Sequence, residues 1–245
     1  MRFDRRLARI TWIGHSTVLI ELDGVRLLTD PLLRRRVLHL RRVGVEAPEI
    51  EPVDAVLISH AHSDHLDAGS LERLDVSRLV APPGAGKRAR GWVDDVVELR
   101  AGDELEVGAV RITATPAEHG GESLGYLVSG SIRIYFAGDT DLFDGMRELA
   151  TPALDVALLP IGGWGPRLPP GHLDPERAAR ALVLLHPRIA IPIHWGTYTR
   201  IGLSRDEIAP ANEFSELAAA YAPEVDVRVL PVGGTLDVPV EARVG

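Results

Sequence analysis

His60-Ala61-His62-Ser63-Asp64-His65 follows the apolar run Ala55-Val56-Leu57-Ile58 with only Ser59 between them. A short apolar run of this kind fits a buried strand. Residues two apart on an extended segment point to the same side, so His60 and His62 can grip one ion. Asp64 and His65 come where the chain turns into a helix read over Leu66–Leu74, and they point at a second position beside the first. Imidazole and carboxylate suit zinc, iron or manganese. The plainer alternative is a polar loop at a helix start, with Asp64 as its cap. Four donors are too few for two ions, so further ligands must come from farther along the chain.

Three candidates stand where apolar strands end. His119 closes Val110–Glu118. Asp139 follows Ile132–Ala137 in the turn Gly138-Asp139-Thr140. His194 follows Ile189–Ile193 in His194-Trp195-Gly196. A strand that delivers one ligand at its tip, repeated, is how a rigid scaffold builds a metal site. Singly, each also reads as a loop histidine or a turn aspartate. The chain has no cysteine, so thiolate ligands and disulfides are excluded and any metal is held by histidine and carboxylate.

The rest of the chain predicts the frame. Arg9–Ile13, Thr17–Leu22 and Val25–Thr29 read as strands, with Asp23-Gly24 a hairpin turn between the last two. Further strands are expected at Arg78–Ala81, Val96–Leu99, Val156–Pro160, Arg188–Ile193 and Val225–Leu230, with hairpins over Glu104–His119 and Glu122–Phe136. Helices are read at Ala85–Gly91, Leu142–Leu149 and Asn212–Tyr221. The clearest runs from Pro175 to His186, with Asp174 as N-cap and Pro175 at the first helical position. This order predicts an α/β fold of two sheets packed face to face with helices outside. The 245 residues suffice for a substantial core, and residues 1–245 read as a single domain.

Net charge of −8 leaves no overall basic footprint, so no nucleic-acid partner is expected. The N-terminal stretch lacks an apolar core followed by a small-residue cleavage pattern, and no apolar run reaches the roughly 18 residues of a membrane span. Together with the absence of cysteine, these features predict a cytoplasmic location. A homo-oligomer is compatible with the sequence.

The segments GHSTVLIE (14–21), TDP (29–31), SHAHSDHLD (59–67), AEHG (117–120), AGDTD (137–141) and PIHWGTY (192–198) resemble, in this order, the metallo-β-lactamase superfamily. They are most similar to its branch containing L-ascorbate-6-phosphate lactonase and N-acylphosphatidylethanolamine phospholipase D. The resemblance covers about Trp12 to Tyr198. It implies a four-layer αββα sandwich with mixed sheets and the site at one sheet edge. It also implies two divalent ions, zinc first, with manganese or iron as alternatives. His60, His62 and His119 would hold one ion and Asp64, His65 and His194 the other, with Asp139 bridging.

Two ions about 3.5–4 Å apart can share a bridging hydroxide for attack on an ester. The residual positive charge favours an anionic substrate, either small or lipid-like, such as a phosphodiester. A lactonase for a phosphorylated sugar lactone is the alternative, and a non-catalytic metal-binding protein is the alternative of another class. Asp64, His172 and His15 are the catalytic candidates. Asp64 could protonate the leaving group, and a water on the ions could do so equally. His172 resembles a branch position on the loop over the pocket, where it could bind substrate or donate a proton. His15 either faces the site or holds a turn. Asp30 either orients a ligand imidazole or caps the turn before Pro31. Arg34, Arg35, Arg36, Arg41 and Arg42 read as a solvated helix or loop, or as a basic, apolar rim near the pocket mouth that admits phosphate-bearing or lipid-like substrates, or a lipid surface. Gly162-Gly163-Trp164-Gly165-Pro166 reads as a second pocket loop. His186 reads as a helix-end cation, and His39 carries no signal.

Overall fold

The computed structural model describes residues 7–163, 168–202 and 207–240. Trp164, Gly165 and Pro166 of the expected pocket loop lie outside these residues. Two sheets of seven strands each dominate the described chain. The first runs, in spatial order, Thr235–Pro239, Leu7–Gly14, Thr17–Leu22, Val25–Thr29, Ala55–Leu57, Leu79–Ala81 and Val96–Glu98. The second runs Asp226–Val227, Ile189–Ile193, Val156–Pro160, Arg133–Phe136, Leu124–Ser129, Val110–Pro116 and Glu104–Val107. Each is antiparallel through its hairpins and parallel at its crossovers, which helices make except between Val25–Thr29 and Ala55–Leu57, so both sheets are mixed.

Side-chain alternation assigns the layers. Along the strand Ala55–Leu57 of the first sheet and the residue after it, Ala55 and Leu57 enter the large core shared with the second sheet, while Val56 and Ile58 enter a separate core. That separate core also contains Leu66, Leu71, Ala85 and Ala89, from the short helices Ala68–Leu71 and Gly86–Ala89 and the loops leading into them. This is the two-residue period of a strand buried on both faces. Leu57 is fully buried and contributes about 1.5–3 kcal/mol by transfer from water. The helix Pro175–Leu185 buries Ala178, Ala181, Leu182 and Leu185, a helical stripe that packs on the helix Ala209–Tyr221 and the strand Val156–Pro160. Asp174 caps it as expected, accepting from Arg177 N–H at 2.8 Å. The layers are therefore αββα.

Three local expectations are corrected. The helix read over Leu66–Leu74 is only Ala68–Leu71, because the Asp67 carboxylate serves Arg34 and Ser70 instead of capping the helix. The arginine-rich segment is neither helix nor loop. It forms the hairpin Arg36–Val37 and Leu40–Arg42, which pairs with Tyr198–Arg200 in a third small sheet. Arg42 is buried there and donates to the carbonyls of Ile13, Leu32 and Val45. Thr235–Pro239 adds an edge strand to the first sheet that the sequence reading did not anticipate.

Candidate metal centre

Turns at one edge of the sheets converge. Ala55–Leu57 leads into Ser59–His65, Val110–Pro116 into His119, Arg133–Phe136 into Asp139, and Ile189–Ile193 into His194. Val25–Thr29 leads into Asp30, and the turn between the first two strands carries His15. The His15 and His194 turns are fastened together. His194 N–H donates to His15 O at 2.9 Å, Trp12 Nε1–H donates to the same carbonyl at 2.8 Å, and Trp12 stacks on Trp195 at 4.9 Å. His15, Asp30 and His194 all occupy the left-handed region, at φ 55°, 33° and 63°. Such values are uncommon for residues with a side chain and concentrate at functional sites.

Every ligand candidate is in this cluster. His62 Nδ1 lies 2.8 Å from His60 Nε2 and 3.3 Å from His119 Nε2. His119 Nδ1–H donates to Gly171 O at 2.7 Å, which leaves the lone pair on Nε2 facing inward. A second group gathers His15, Asp64, His65 and His194, with one donor atom from each within 4.8 Å of the others. His194 Nδ1–H donates to Gly162 O at 2.7 Å and His65 Nδ1–H to Asp30 Oδ2 at 2.7 Å, so both Nε2 atoms also face inward. Asp139 reaches both groups: its carboxylate lies 3.2 Å from His65 Nε2 and 3.3 Å from His194 Nε2, and it shares one set of donors with His60 and His65 and another with His119 and His172.

The fit to a cation follows from what these atoms lack. His65 Nε2, His194 Nε2 and Asp139 Oδ1 are buried and have no hydrogen-bond partner. Each such orphan costs about 1–3 kcal/mol unless something else satisfies it. Inward lone pairs and a carboxylate at this spacing are mutually repulsive acceptors, and a cation answers all of them.

Electrostatics agree. Burial lowers the pKa of His194 to about 3 and pushes His60 far down, keeping both in the neutral, ligating form. Burial opposes charge on Asp139, yet His194 and His65 hold it well below the usual carboxylate range. Burial likewise opposes charge on His65, but Asp139, Asp64 and Asp30 push it well above the ordinary imidazole value. The centre demands positive charge at His65 Nε2, and a metal ion can supply it in place of a proton.

Asp30 holds the imidazole of His65, a ligand candidate. Its buried carboxylate accepts from His65 Nδ1–H, from Ser59 N–H at 2.7 Å and from Ser59 Oγ–H at 2.6 Å. Ser59 Oγ also lies 2.9 Å from His60 Nδ1, so one carboxylate and one hydroxyl support a histidine of each group. Sequence reasoning missed Ser59; its only signal was its place beside His60. His15 faces the cluster, with Nε2 3.2 Å from Asp64 Oδ2 and its ring 3.9 Å from that of His194. His172 is also brought in, with Nε2 3.3 Å from Asp139 Oδ2. His186 is the exposed C-cap of its helix beside Glu224, and His39 lies in the arginine hairpin, so neither joins the cluster.

Gly138 lets Asp139 reach its place. Its φ is +61°, and a Cβ there would meet Ser59 Cβ at 2.5 Å and Leu124 O at 2.9 Å. Gly138→Ala is expected to cost more than about 1 kcal/mol and to weaken metal retention, as read by thermal melting and elemental analysis. An unchanged melt with full metal content would contradict this.

The geometry has close counterparts. The beta-lactamase superfamily domain family matches residues 25–195. A UPF0173 metal-dependent hydrolase from Opitutus terrae is 36% identical, covering 94% of this chain and 100% of its own length. An N-acyl-phosphatidylethanolamine-hydrolyzing phospholipase D 1 from Caenorhabditis elegans is 30% identical over 86% of this chain and 69% of its own. Among solved structures, Igni18, a metallo hydrolase from Ignicoccus hospitalis, has a TM-score of 0.73 at 27% identity, covering 95% of this chain and 98% of its own. A shared fold, a histidine and aspartate cluster able to bind metal, and these relatives lead to one conclusion: the chain belongs to the beta-lactamase superfamily and is a metal-dependent hydrolase of the metallo-β-lactamase fold, in the branch that includes N-acylphosphatidylethanolamine phospholipase D.

Proposed function

We propose that the chain hydrolyses an anionic ester, a phosphodiester first, at a site for two divalent ions, zinc before manganese or iron. The observation that carries this is the pair of inward-facing donor groups joined at Asp139. His60, His62 and His119 would hold one ion, and Asp64, His65 and His194 the other, with Asp139 shared. When bound, such ions supply Lewis acidity and a water acidic enough to ionise near neutral pH.

The protein's own groups do the rest. Asp64 and Asp139 are the two carboxylates of the donor groups, and with one hydroxide they still fall short of neutralising two divalent ions, so the centre stays positive and favours an anion. His15 acts as a positioning residue that fixes Asp64 through its 3.2 Å contact. Asp64, held as a carboxylate, is the candidate to take a proton from the attacking water and pass it to the leaving group. His172 is the candidate substrate contact, since it reaches Asp139 from the Pro169–Gly171 loop that also supports His119. The nematode relative named as a phospholipase D supports the phosphodiester and keeps a lipid-like substrate in view. Among the described residues, no helix is long and apolar enough to cross a membrane.

The test is a substrate panel on metal-loaded protein: bis-p-nitrophenyl phosphate, a phosphorylated lactone and an acyl lactone. Phosphodiester turnover is expected to dominate and to fall by at least about tenfold in folded His172→Ala protein. Preferential opening of the phosphorylated lactone would move the assignment to a lactonase. Full metal loading with no turnover on any of the three would overturn hydrolysis of these esters.

A further inference from the structure

Leu38 sits at the turn of the arginine hairpin, at φ 49° and 75% exposed. Neither core packing nor local conformation asks for leucine there, because a positive φ favours glycine or asparagine. It has apolar neighbours on both sides. With Trp92, itself 41% exposed, it lines a cavity of about 220 Å³ whose walls include Ser63, Leu66 and Arg88. On its other flank, Ile201 N–H donates to His39 O at 2.9 Å, and Ile201 is 51% exposed. Single exposed apolar residues need no explanation, whereas a contiguous fringe marks an interaction site.

Exposed cations ring this fringe. Arg34 and Arg35 are ion-paired with Asp67 and Glu46. Arg36, Arg41, Lys87, Arg88 and Arg200 have no carboxylate partner among the described residues. Arg36, Arg41 and Arg200 belong to the small sheet whose turn is Leu38, and Arg88, with Lys87 beside it, lines the cavity that Leu38 shares with Trp92, in a chain whose net charge is −8. An apolar tip, a tryptophan at its border and unpaired cations around it fit the headgroup region of a membrane surface.

We propose that this face docks the protein on an anionic lipid bilayer, with Leu38, Trp92 and Ile201 entering the headgroup region and the cations meeting lipid phosphates. The loop that carries His62 and Asp64 also sends Ser63 and Leu66 into the wall of the cavity, so docking sets the metal centre's own loop beside the bilayer. Docking requires no particular ester, and it fails separately from the hydrolytic assignment.

The experiment is co-sedimentation of the full chain with phosphatidylcholine vesicles, with and without phosphatidylglycerol. Binding is expected only with phosphatidylglycerol, and it weakens between about 0.1 M and 1 M salt as the screening length shrinks. Tryptophan emission shifts to the blue on binding, and Trp92→Phe removes that shift. Arg36→Ala with Lys87→Ala lowers binding about 25-fold, at about fivefold for each cation near the surface. Leu38→Asn lowers it at least about tenfold while melting temperature and metal content stay as in wild type. Equal binding to neutral vesicles, no binding to either, or full binding by both variants overturns the proposal. So does an oligonucleotide that displaces the vesicles and binds Leu38→Asn protein as well as wild type, since the face would then be a generic polyanion site.

Discussion

Asp139→Ala protein is expected to lose turnover by at least about 10³-fold and to retain at most one metal ion per chain. Among the described residues, Asp139 is the one carboxylate that shares donor sets with both inward-facing groups, and it also meets His172 at 3.3 Å. Without it, the buried lone pairs of His65 and His194 lose the anion between them, and an ion held there loses a ligand. Lewis-acid stabilisation is worth several kcal/mol, and each 1.36 kcal/mol is about tenfold in rate. The fold should survive, because the strand before Asp139 is paired on both sides, with Leu124–Ser129 and with Val156–Pro160. Asp139→Asn separates charge from shape: it preserves volume but presents an N–H toward a lone pair. Circular dichroism, elemental analysis and turnover on the best substrate measure the three quantities. Wild-type turnover in folded Asp139→Ala protein would rule out a shared carboxylate.

Asp30→Ala is expected to weaken both metal affinity and stability, although Asp30 touches no ion in the proposed arrangement. Its side chain is fully buried and accepts from three donors, Ser59 N–H, Ser59 Oγ–H and His65 Nδ1–H. Burial pushes the carboxyl up, and His65 offsets part of that cost. Alanine leaves the three donors without their acceptor and frees the His65 ring to turn. Removing one partner of a buried pair costs about 3–5 kcal/mol, and loss of such an outer carboxylate lowers metal affinity about 10–100-fold. Ser59 passes the same support to His60, so both donor groups should weaken. Ser59→Ala keeps the Asp30–His65 bond and is expected to weaken the His60 group more. Chelator competition and denaturant midpoints test this. Wild-type values for Asp30→Ala on both would contradict it.

The parts of the fold legible in the sequence are those in which one residue type repeats with a short period. Val156–Pro160 and Ile189–Ile193 are apolar throughout because both faces are covered, and Pro175–Leu185 shows its stripe and its Asp174 cap. The donor cluster was readable because its first four members are adjacent and the others each end an apolar strand. The illegible parts depend on distant partners. Thr235–Pro239 is a half-exposed edge strand whose register is set by Leu7–Thr11. The arginine hairpin is organised by Tyr198, whose hydroxyl donates to Arg34 O at 2.6 Å and lies 3.1 Å from Leu32 O, across more than 160 residues. His15 and Asp64 are 49 positions apart, so neither neighbourhood announces their contact. The helix expected after His65 is shortened by a similar long-range demand: the Arg34 side chain lies so close over Gly69 that a Cβ there would meet Nε at 2.7 Å, and Asp67 is spent on the same guanidinium.

Metal stoichiometry of the purified chain is the most direct measurement. Apoprotein titrated with zinc, with bound metal counted by elemental analysis, should take up two equivalents per chain, and turnover should rise as both are bound. His60→Ala should remove one equivalent and leave the Asp64, His65 and His194 group able to hold the other. A single equivalent in wild type, or two retained in folded His60→Ala protein, would contradict a centre built from His60, His62 and His119 beside Asp64, His65 and His194 with Asp139 between them.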